Sequence, residues 1–260
     1  MPETLPPIEV IAHRGASAHA PENTLSSFAL ALRLGADCIE LDVRATSDGV
    51  PVVLHDPTLE RTAGIRRAIA DMSAAELAAL PTSRRPPTLD EVLDAFGTRT
   101  DYLVEVKRIE VGTEPVLLEA FARRRLRSRV TVQSFDHLLL RRLRRRDDSL
   151  ALAALFRPGA DVAGALDLVT PFVGGIGPCA AEVGPRLIDA AHSRGLTVRT
   201  WTVNETDAMQ RLVEAGVDGI ITDRPERARA VVGAAARAGA ATGRSSRETS
   251  QARMAATSPA

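Results

Sequence analysis

"TVRTWTVNETDAMQRLVEAGVDGIIT", residues 197–222, reads as strand, helix, strand. A β-type run over 197–203 gives way at "NETD" to apolar residues three and four apart, Met209, Leu212 and Val213. Asn204 stands where a helix is capped and Gly216 where one stops. A second short apolar run, 218–222, follows at once. Two strands joined through a helix lie parallel, because the connection is a crossover and not a hairpin.

The same unit recurs along the chain. Strand candidates lie at 8–13, 37–43, 101–107, 129–134, 150–155, about 172–176, 197–203 and 218–222, eight in all. "NTLSSFALALRLG" (23–35) repeats the helix grammar, with Asn23 as cap and Gly35 as stop. An even series of eight strand–helix units predicts an α/β fold of the TIM (β/α)8 barrel type over an open doubly wound sheet. One unit is longer than the rest. Residues 57–87 form an insertion after the second strand region, closed by the capping box "TLDE" from Thr88 to Glu91, and such an insertion is expected over the site. From about 239 the chain turns small, polar and aperiodic, so the barrel is expected to occupy 1–238, with a disordered tail at 239–260.

Composition narrows the function. The 260 residues carry 33 Lys+Arg against 33 Asp+Glu, so net charge gives no reason to expect nucleic-acid binding. Arginine clusters at 123–129 and 141–146, which reads as solvated helix faces. No apolar run approaches the roughly 20 residues of a membrane span. The opening "MPETLPPIEV" lacks the pattern of a signal peptide, and a cytoplasmic location is the expectation. Cys38 and Cys179 have no metal-ligand spacing and read as small core residues.

In a barrel of this kind reactive groups stand at the C-terminal ends of strands. There the chain has "AHRG" (His13, Arg14), "IELD" (Glu40, Asp42), "VVLHD" (His55, Asp56), "VEVK" (Glu105, Lys107), "VQSF" and "TWTVN"; the remaining strand ends read as apolar. Glu40 and Asp42 alternate along one strand and share a face, and Glu105 adds a third carboxylate. Three convergent carboxylates repel unless a cation neutralises them, and all-oxygen ligands suit Mg²⁺, Ca²⁺ or Mn²⁺ better than Zn²⁺. His13 and His55 bracket that position, and two imidazoles titrating near neutrality supply a general acid and a general base. His19, His137 and His192 read as structural or exposed. Arg14 offers a planar fork suited to phosphate oxygens. Lys107 is the only lysine of the chain. Beside Glu105 it supplies a compact charge able to follow negative charge developing on a phosphoryl group.

"HRGASAHAPENT", "IELDV", "VVLHDPTLERT", "PTLDEVL", "VEVK", "VQSFD", "WTVN" and "GVDGIITDRP", in this order, resemble the glycerophosphodiester phosphodiesterase family over residues 8 to about 230. The resemblance implies a TIM barrel that hydrolyses glycerophosphodiesters to sn-glycerol 3-phosphate and an alcohol with a divalent cation. It implies Glu40, Asp42 and Glu105 as metal ligands, His13 and His55 as the acid/base pair, and Arg14 and Lys107 as phosphate contacts. Phe135 and Trp201 correspond to an apolar wall beside the glycerol, and Glu22 and Asn23 to a supporting contact and a helix cap. The mechanism it suggests is attack by the neighbouring glycerol hydroxyl, giving a cyclic phosphate that water then opens. Leu103 departs from the pattern, standing where many members have asparagine, which implies a lost hydrogen bond near the metal. Two alternatives stay open: a lysophospholipid-type phosphodiester as substrate, and a catalytically silent binding barrel.

Overall fold

Alternation along the strands decides which side chains face inward. The computed structural model describes residues 8–107 and 113–238. In strand β2 (Cys38–Ala45), Ile39, Leu41 and Val43 turn outward into the main apolar core under the helices, which leaves Glu40 and Asp42 on the interior face. In β6 (Asp101–Val106), Tyr102, Val104 and Val106 turn outward and Leu103 and Glu105 inward. The two strands pair in parallel with Asp42 beside Glu105. β6 in turn pairs with β7 (Val130–Ser134), setting Glu105 beside Gln133. Parallel neighbours in register point the same way, so the pairing alone brings these polar groups to one level of the barrel.

The remaining strands are β1 (Glu9–Ala12), β8 (Ala151–Leu155), β9 (Gly175–Gly177), β10 (Thr197–Thr200) and β11 (Gly219–Thr222). The sheet runs β1-β11-β10-β9-β8-β7-β6-β2, and β1 also pairs with β2, which closes eight parallel strands into a barrel. A short strand β3 (Pro51–Val53) adds antiparallel to the far end of β2. Below the polar level, Ile11, Cys38, Leu103 and Ile221 form an apolar plug with Trp201 against it. Leu103 therefore fills space in the barrel interior, and its burial accounts for an apolar side chain at that position.

Helices α1 (Leu25–Arg33), α4 (Leu89–Phe96), α5 (Glu114–Arg123), α6 (His137–Arg146), α7 (Val162–Val169), α8 (Pro185–His192) and α9 (Thr206–Ala215) alternate with the strands, and residues 225–238 are helical as well. The capping box at Thr88 and Glu91 opens α4. The insertion, 57–87, holds a two-stranded ribbon, β4 (Thr58–Leu59) with β5 (Ile65–Ala68), and the short helices α2 (Glu60–Ala63) and α3 (Ala74–Ala78). Leu59, Ile69, Met72 and Leu77 pack there with Val52 and Leu54 as a small core of their own.

Several boundaries differ from expectation. The segment around 172–176 becomes strand only at Gly175, because Phe172 and Val173 pack into the core from the preceding turn. The run 197–203 ends as strand at Thr200, with Trp201 making one bridge to Cys179. Neither asparagine is a helix cap. Thr24 caps α1 by accepting from Ser27 N, and Glu205 occupies the cap position of α9. Asn23 and Asn204 are drawn away because their side chains bind carboxylates of the site, as described below. Gly35 and Gly216 do end their helices, at φ of 90° and 91° where a Cβ is strained.

The arginine clusters are less solvated than composition suggested. Arg123 and Arg124 bind Asp90 and Asp94 of α4, Arg142 binds the fully buried Glu114, and Arg144 donates to backbone carbonyls at Phe172 and Leu150. Arg124 and Arg144 each join neighbouring elements through several guanidinium nitrogens, a use of the planar fork that a lysine could not reproduce. No helix among the described residues is long and apolar enough to cross a membrane. The tail expected at 239–260 and the opening residues 1–7 lie outside the described residues.

Candidate active site

A cavity of about 210 Å³ opens at the C-terminal end of the strands. His13, Arg14, Glu40, His55, Glu105, Lys107, Phe135 and Trp201 line it, with Gln133, Leu155, Thr202 and Ile221. Asp42 is fully buried beside them, and ligand atoms of Glu40, Asp42 and Glu105 lie within 4.8 Å of one another. All nine side chains expected at the site thus converge on one place.

The loop after β1 is built for this convergence. Arg14 has φ of 56°, a left-handed conformation costing a non-glycine residue roughly 1–2 kcal/mol. Three hydrogen bonds hold it there. Its amide donates to Glu40 Oε2 at 2.9 Å, and its carbonyl accepts from Asn23 N at 3.0 Å and from Ser27 Oγ at 2.9 Å. Gly15 follows at φ of 84°, where an added Cβ would lie 2.1 Å from Ser27 Oγ. Asn23 donates through Nδ2 to Asp42 Oδ2 at 2.8 Å, so it supports the acidic group and does not cap α1.

Electrostatics separate the three carboxylates. Asp42 forms ion pairs with Arg14 Nε at 3.1 Å and with Lys107 Nζ at 2.9 Å. Burial alone would raise its pKa, yet Lys107 and Arg14 hold it below the ordinary carboxylate value. Glu105 also pairs with Lys107, but burial wins and its pKa is raised. Among the described residues Glu40 forms no ion pair with a lysine or arginine side chain. Burial first, then the Asp42 charge, push it up to about 8. Three carboxylates against two cations leave one negative charge unmatched, and Glu40 responds by favouring its proton.

That imbalance tests whether a metal fits. Asp42 Oδ1 is buried and accepts no hydrogen bond among the described residues, although the Lys107 ammonium is near, and the Glu40 Oε1 contact from Gln133 Nε2 is long at 3.5 Å. Buried carboxylate oxygens with unused lone pairs, close enough to share one ion, fit a hard divalent cation.

Both histidines are held through Nδ1 by a carboxylate. His13 Nδ1 lies 2.6 Å from Asp223 Oδ1, and Asp223 also receives Ser17 Oγ at 2.8 Å and Asn204 Nδ2 at 2.6 Å. His55 Nδ1 lies 2.7 Å from Asp56 Oδ1. A carboxylate accepting at Nδ1 leaves Nε2 as the nitrogen available for chemistry. Burial alone would lower the His13 pKa, but the Asp223 hydrogen bond and the Glu40 charge raise it above the ordinary imidazole value. For His55 burial prevails over Asp56, and the pKa falls. Phe135 and Trp201 meet edge to face at 5.7 Å between centroids, and Trp201 Nε1 donates to Gly177 O at 2.9 Å. His19, His137 and His192 bind Glu226, Leu155 O and Asp218 respectively.

Sequence reading missed Asp223, Asn204 and Gln133. The signal for Asp223 was present, since "IITD" ends a barrel strand on a carboxylate, contrary to the reading of that end as apolar. Gln133 shares its strand with no charged residue, and only the register with Glu105 shows its place.

The model of the glycerophosphoryl diester phosphodiesterase family matches residues 13–227. A glycerophosphodiester phosphodiesterase of Caldanaerobacter subterraneus subsp. tengcongensis is 35% identical over 238 residues, covering 84% of this chain and 94% of that one. One of Bacillus subtilis is 30% identical over 247 residues, covering 84% of each. The crystal structure of a putative glycerophosphoryl diester phosphodiesterase from Silicibacter pomeroyi superposes with a TM-score of 0.78 at 31% identity, covering 86% of this chain and 92% of that one. The chain, with its TIM barrel, belongs to the glycerophosphoryl diester phosphodiesterase family.

Proposed function

We propose that this phosphoric diester hydrolase cleaves glycerophosphodiesters to sn-glycerol 3-phosphate and an alcohol. The observation that carries the reading is the pair of carboxylate-held histidines lining one cavity with a buried three-carboxylate cluster. The names of the relatives at 30–35% identity support the substrate class.

Glu40, Asp42 and Glu105 are the residues that would hold a divalent cation, Mg²⁺, Ca²⁺ or Mn²⁺. Such an ion supplies Lewis-acid stabilisation of charge on the phosphoryl oxygens. Arg14 and Lys107 add positive charge to the same wall, and the Lys107 ammonium sits between Asp42 and Glu105, where it can follow charge toward phosphorus. His55, kept below its ordinary pKa, suits proton removal from the glycerol hydroxyl next to the ester. His13, kept above its ordinary pKa, suits proton delivery to the departing alcohol oxygen. The intramolecular hydroxyl gains from proximity and closes a cyclic phosphate, which water opens with the two roles exchanged. Phe135 and Trp201 cover the carbon face of the glycerol.

The cavity lies below the roughly 300–1,000 Å³ of pockets that enclose drug-sized ligands. It suits the glycerol phosphate end of a soluble diester, and among the described residues it offers no enclosed room for an acyl chain. His13→Ala and His55→Ala are each expected to lower turnover of glycerophosphocholine by about two orders of magnitude or more with the fold intact. Near wild-type turnover in either variant removes that residue from the acid/base pair.

A further inference from the structure

The insertion places one arginine between the two arms of the site. Arg61, in α2, uses all three guanidinium nitrogens on two carboxylates. Its Nε donates to Asp56 Oδ2 at 2.6 Å, and Nη1 and Nη2 donate to the two oxygens of Glu22 at 2.9 and 2.7 Å. Each carboxylate then leads into the cavity. Asp56 Oδ1 holds His55 Nδ1 at 2.7 Å, and Glu22 Oε1 accepts from Arg14 Nη1 at 3.2 Å. Arg14 Nε in turn lies 3.1 Å from Asp42 Oδ2. An unbroken series of charged contacts therefore runs from His55 through Asp56, Arg61, Glu22 and Arg14 to Asp42.

The two ends come from different parts of the chain. Glu22 follows β1, Asp56 follows β3, and Arg61 is 39 residues from Glu22 in sequence. Arg61 itself is half exposed and does not line the cavity, so it acts only through its partners. An isolated exposed ion pair contributes little to stability. A guanidinium fork bound bidentate to one carboxylate and end-on to a second fixes geometry, because its donors are coplanar. Without Arg61, Glu22 and Asp56 become two like charges with no cation between them.

We propose that Arg61 is a positioning residue for phosphodiester cleavage, locking the His55–Asp56 pair to the Glu22–Arg14 pair so that the proton-transferring ring and the phosphate-facing guanidinium keep one relative placement. This rests on the roles of His55 and Arg14 given above. It also gives the insertion a function, as the carrier of the residue that joins the two arms.

The test compares Arg61→Ala with Arg66→Ala, which removes a solvent-exposed ion pair to Glu60 in the same insertion. Misplacement of reacting groups predicts that R61A lowers kcat on glycerophosphocholine about ten- to 100-fold while KM moves less than about threefold. R66A stays within about twofold of wild type, as expected for an isolated exposed pair. Millimolar guanidinium ion is expected to restore part of the lost turnover to R61A and none to R66A. The effect of R61A is expected to shrink in a Glu22→Gln background, as it must if both act through one series of contacts. If R61A does not fold, Arg61→Lys carries the same cycle, since it keeps the charge and loses the fork. Turnover of folded R61A within about twofold of wild type overturns the proposal, as does a loss that guanidinium leaves untouched and that adds fully to E22Q. His55→Ala measured alongside separates the two levels. An active H55A defeats the acid/base reading itself, whereas an inactive H55A beside an active R61A defeats only the role of Arg61.

Discussion

Asp223→Asn tests whether His13 is held by its carboxylate or merely sits near it. The Asp223 carboxylate receives His13 Nδ1 and Ser17 Oγ on Oδ1 and Asn204 Nδ2 on Oδ2. An amide offers one acceptor oxygen in place of two. Asn204 cannot turn to compensate, because its Oδ1 already accepts from Thr222 Oγ1 at 3.0 Å and from Asp223 N at 2.9 Å. The amide oxygen of the variant is therefore claimed by Asn204, and its NH₂ group faces His13 Nδ1. That arrangement forces the imidazole into the opposite tautomer, with its proton on Nε2 and no stabilised imidazolium. A hydrogen bond to a charged group contributes about 1.5–3 kcal/mol. At about 1.4 kcal/mol per decade, kcat for glycerophosphocholine is expected to fall about ten- to 150-fold, with KM little changed. The pairing also stabilises the fold where His13 is protonated and Asp223 is ionised. The raised His13 pKa makes this contribution complete below its unfolded value of 6.5 and lost as pH rises through the folded value. The lowered Asp223 pKa makes its share present above 3.8 and lost on acidification. The stability gap between wild type and D223N is thus expected to be wider at pH 5 to 6 than at pH 9, read by urea unfolding. Unchanged kcat in folded D223N, with a gap independent of pH, would refute the reasoning.

Two further substitutions probe the acidic wall and the loop that carries Arg14. Lys107→Arg puts a broader group between Asp42 and Glu105, where the lysine side chain is only 13% exposed, and is expected to impair turnover more than removal of residues 240–260. A silent K107R would leave the lone lysine without a chemical reason. Gly15→Ala combines a left-handed φ with a Cβ 2.1 Å from Ser27 Oγ, costing about 2–5 kcal/mol in strain and overpacking. For a chain of this size that is a loss of roughly 5–15 °C in Tm by thermal melting, and a shift below about 2 °C would contradict the packing described.

Much of this architecture was legible because it rests on period. Alternation in "CIELDV" and "YLVEV" fixed both which residues form the core and which carboxylates face inward, and the structure keeps that division. The strand ends blurred where tertiary contacts replaced ladder bonds, as at Trp201 and at Phe172. Asn23 and Asn204 have the composition of helix caps, yet each serves a carboxylate across the barrel, a contact that no local pattern records. The two arms joined by Arg61 are likewise invisible in sequence, since Glu22 and Asp56 meet only when β1 and β3 are placed. The arginine runs looked like solvated faces because composition does not show that Asp90, Asp94 and Glu114 lie opposite them.

The most direct test of the central claim is release of glycerol 3-phosphate from glycerophosphocholine by protein stripped with EDTA, with Mg²⁺, Ca²⁺ or Mn²⁺ restored one at a time and His55→Ala as control. Release that requires an added cation and is absent from H55A is the predicted result. Absence of release with every cation, from protein shown to be folded, contradicts it.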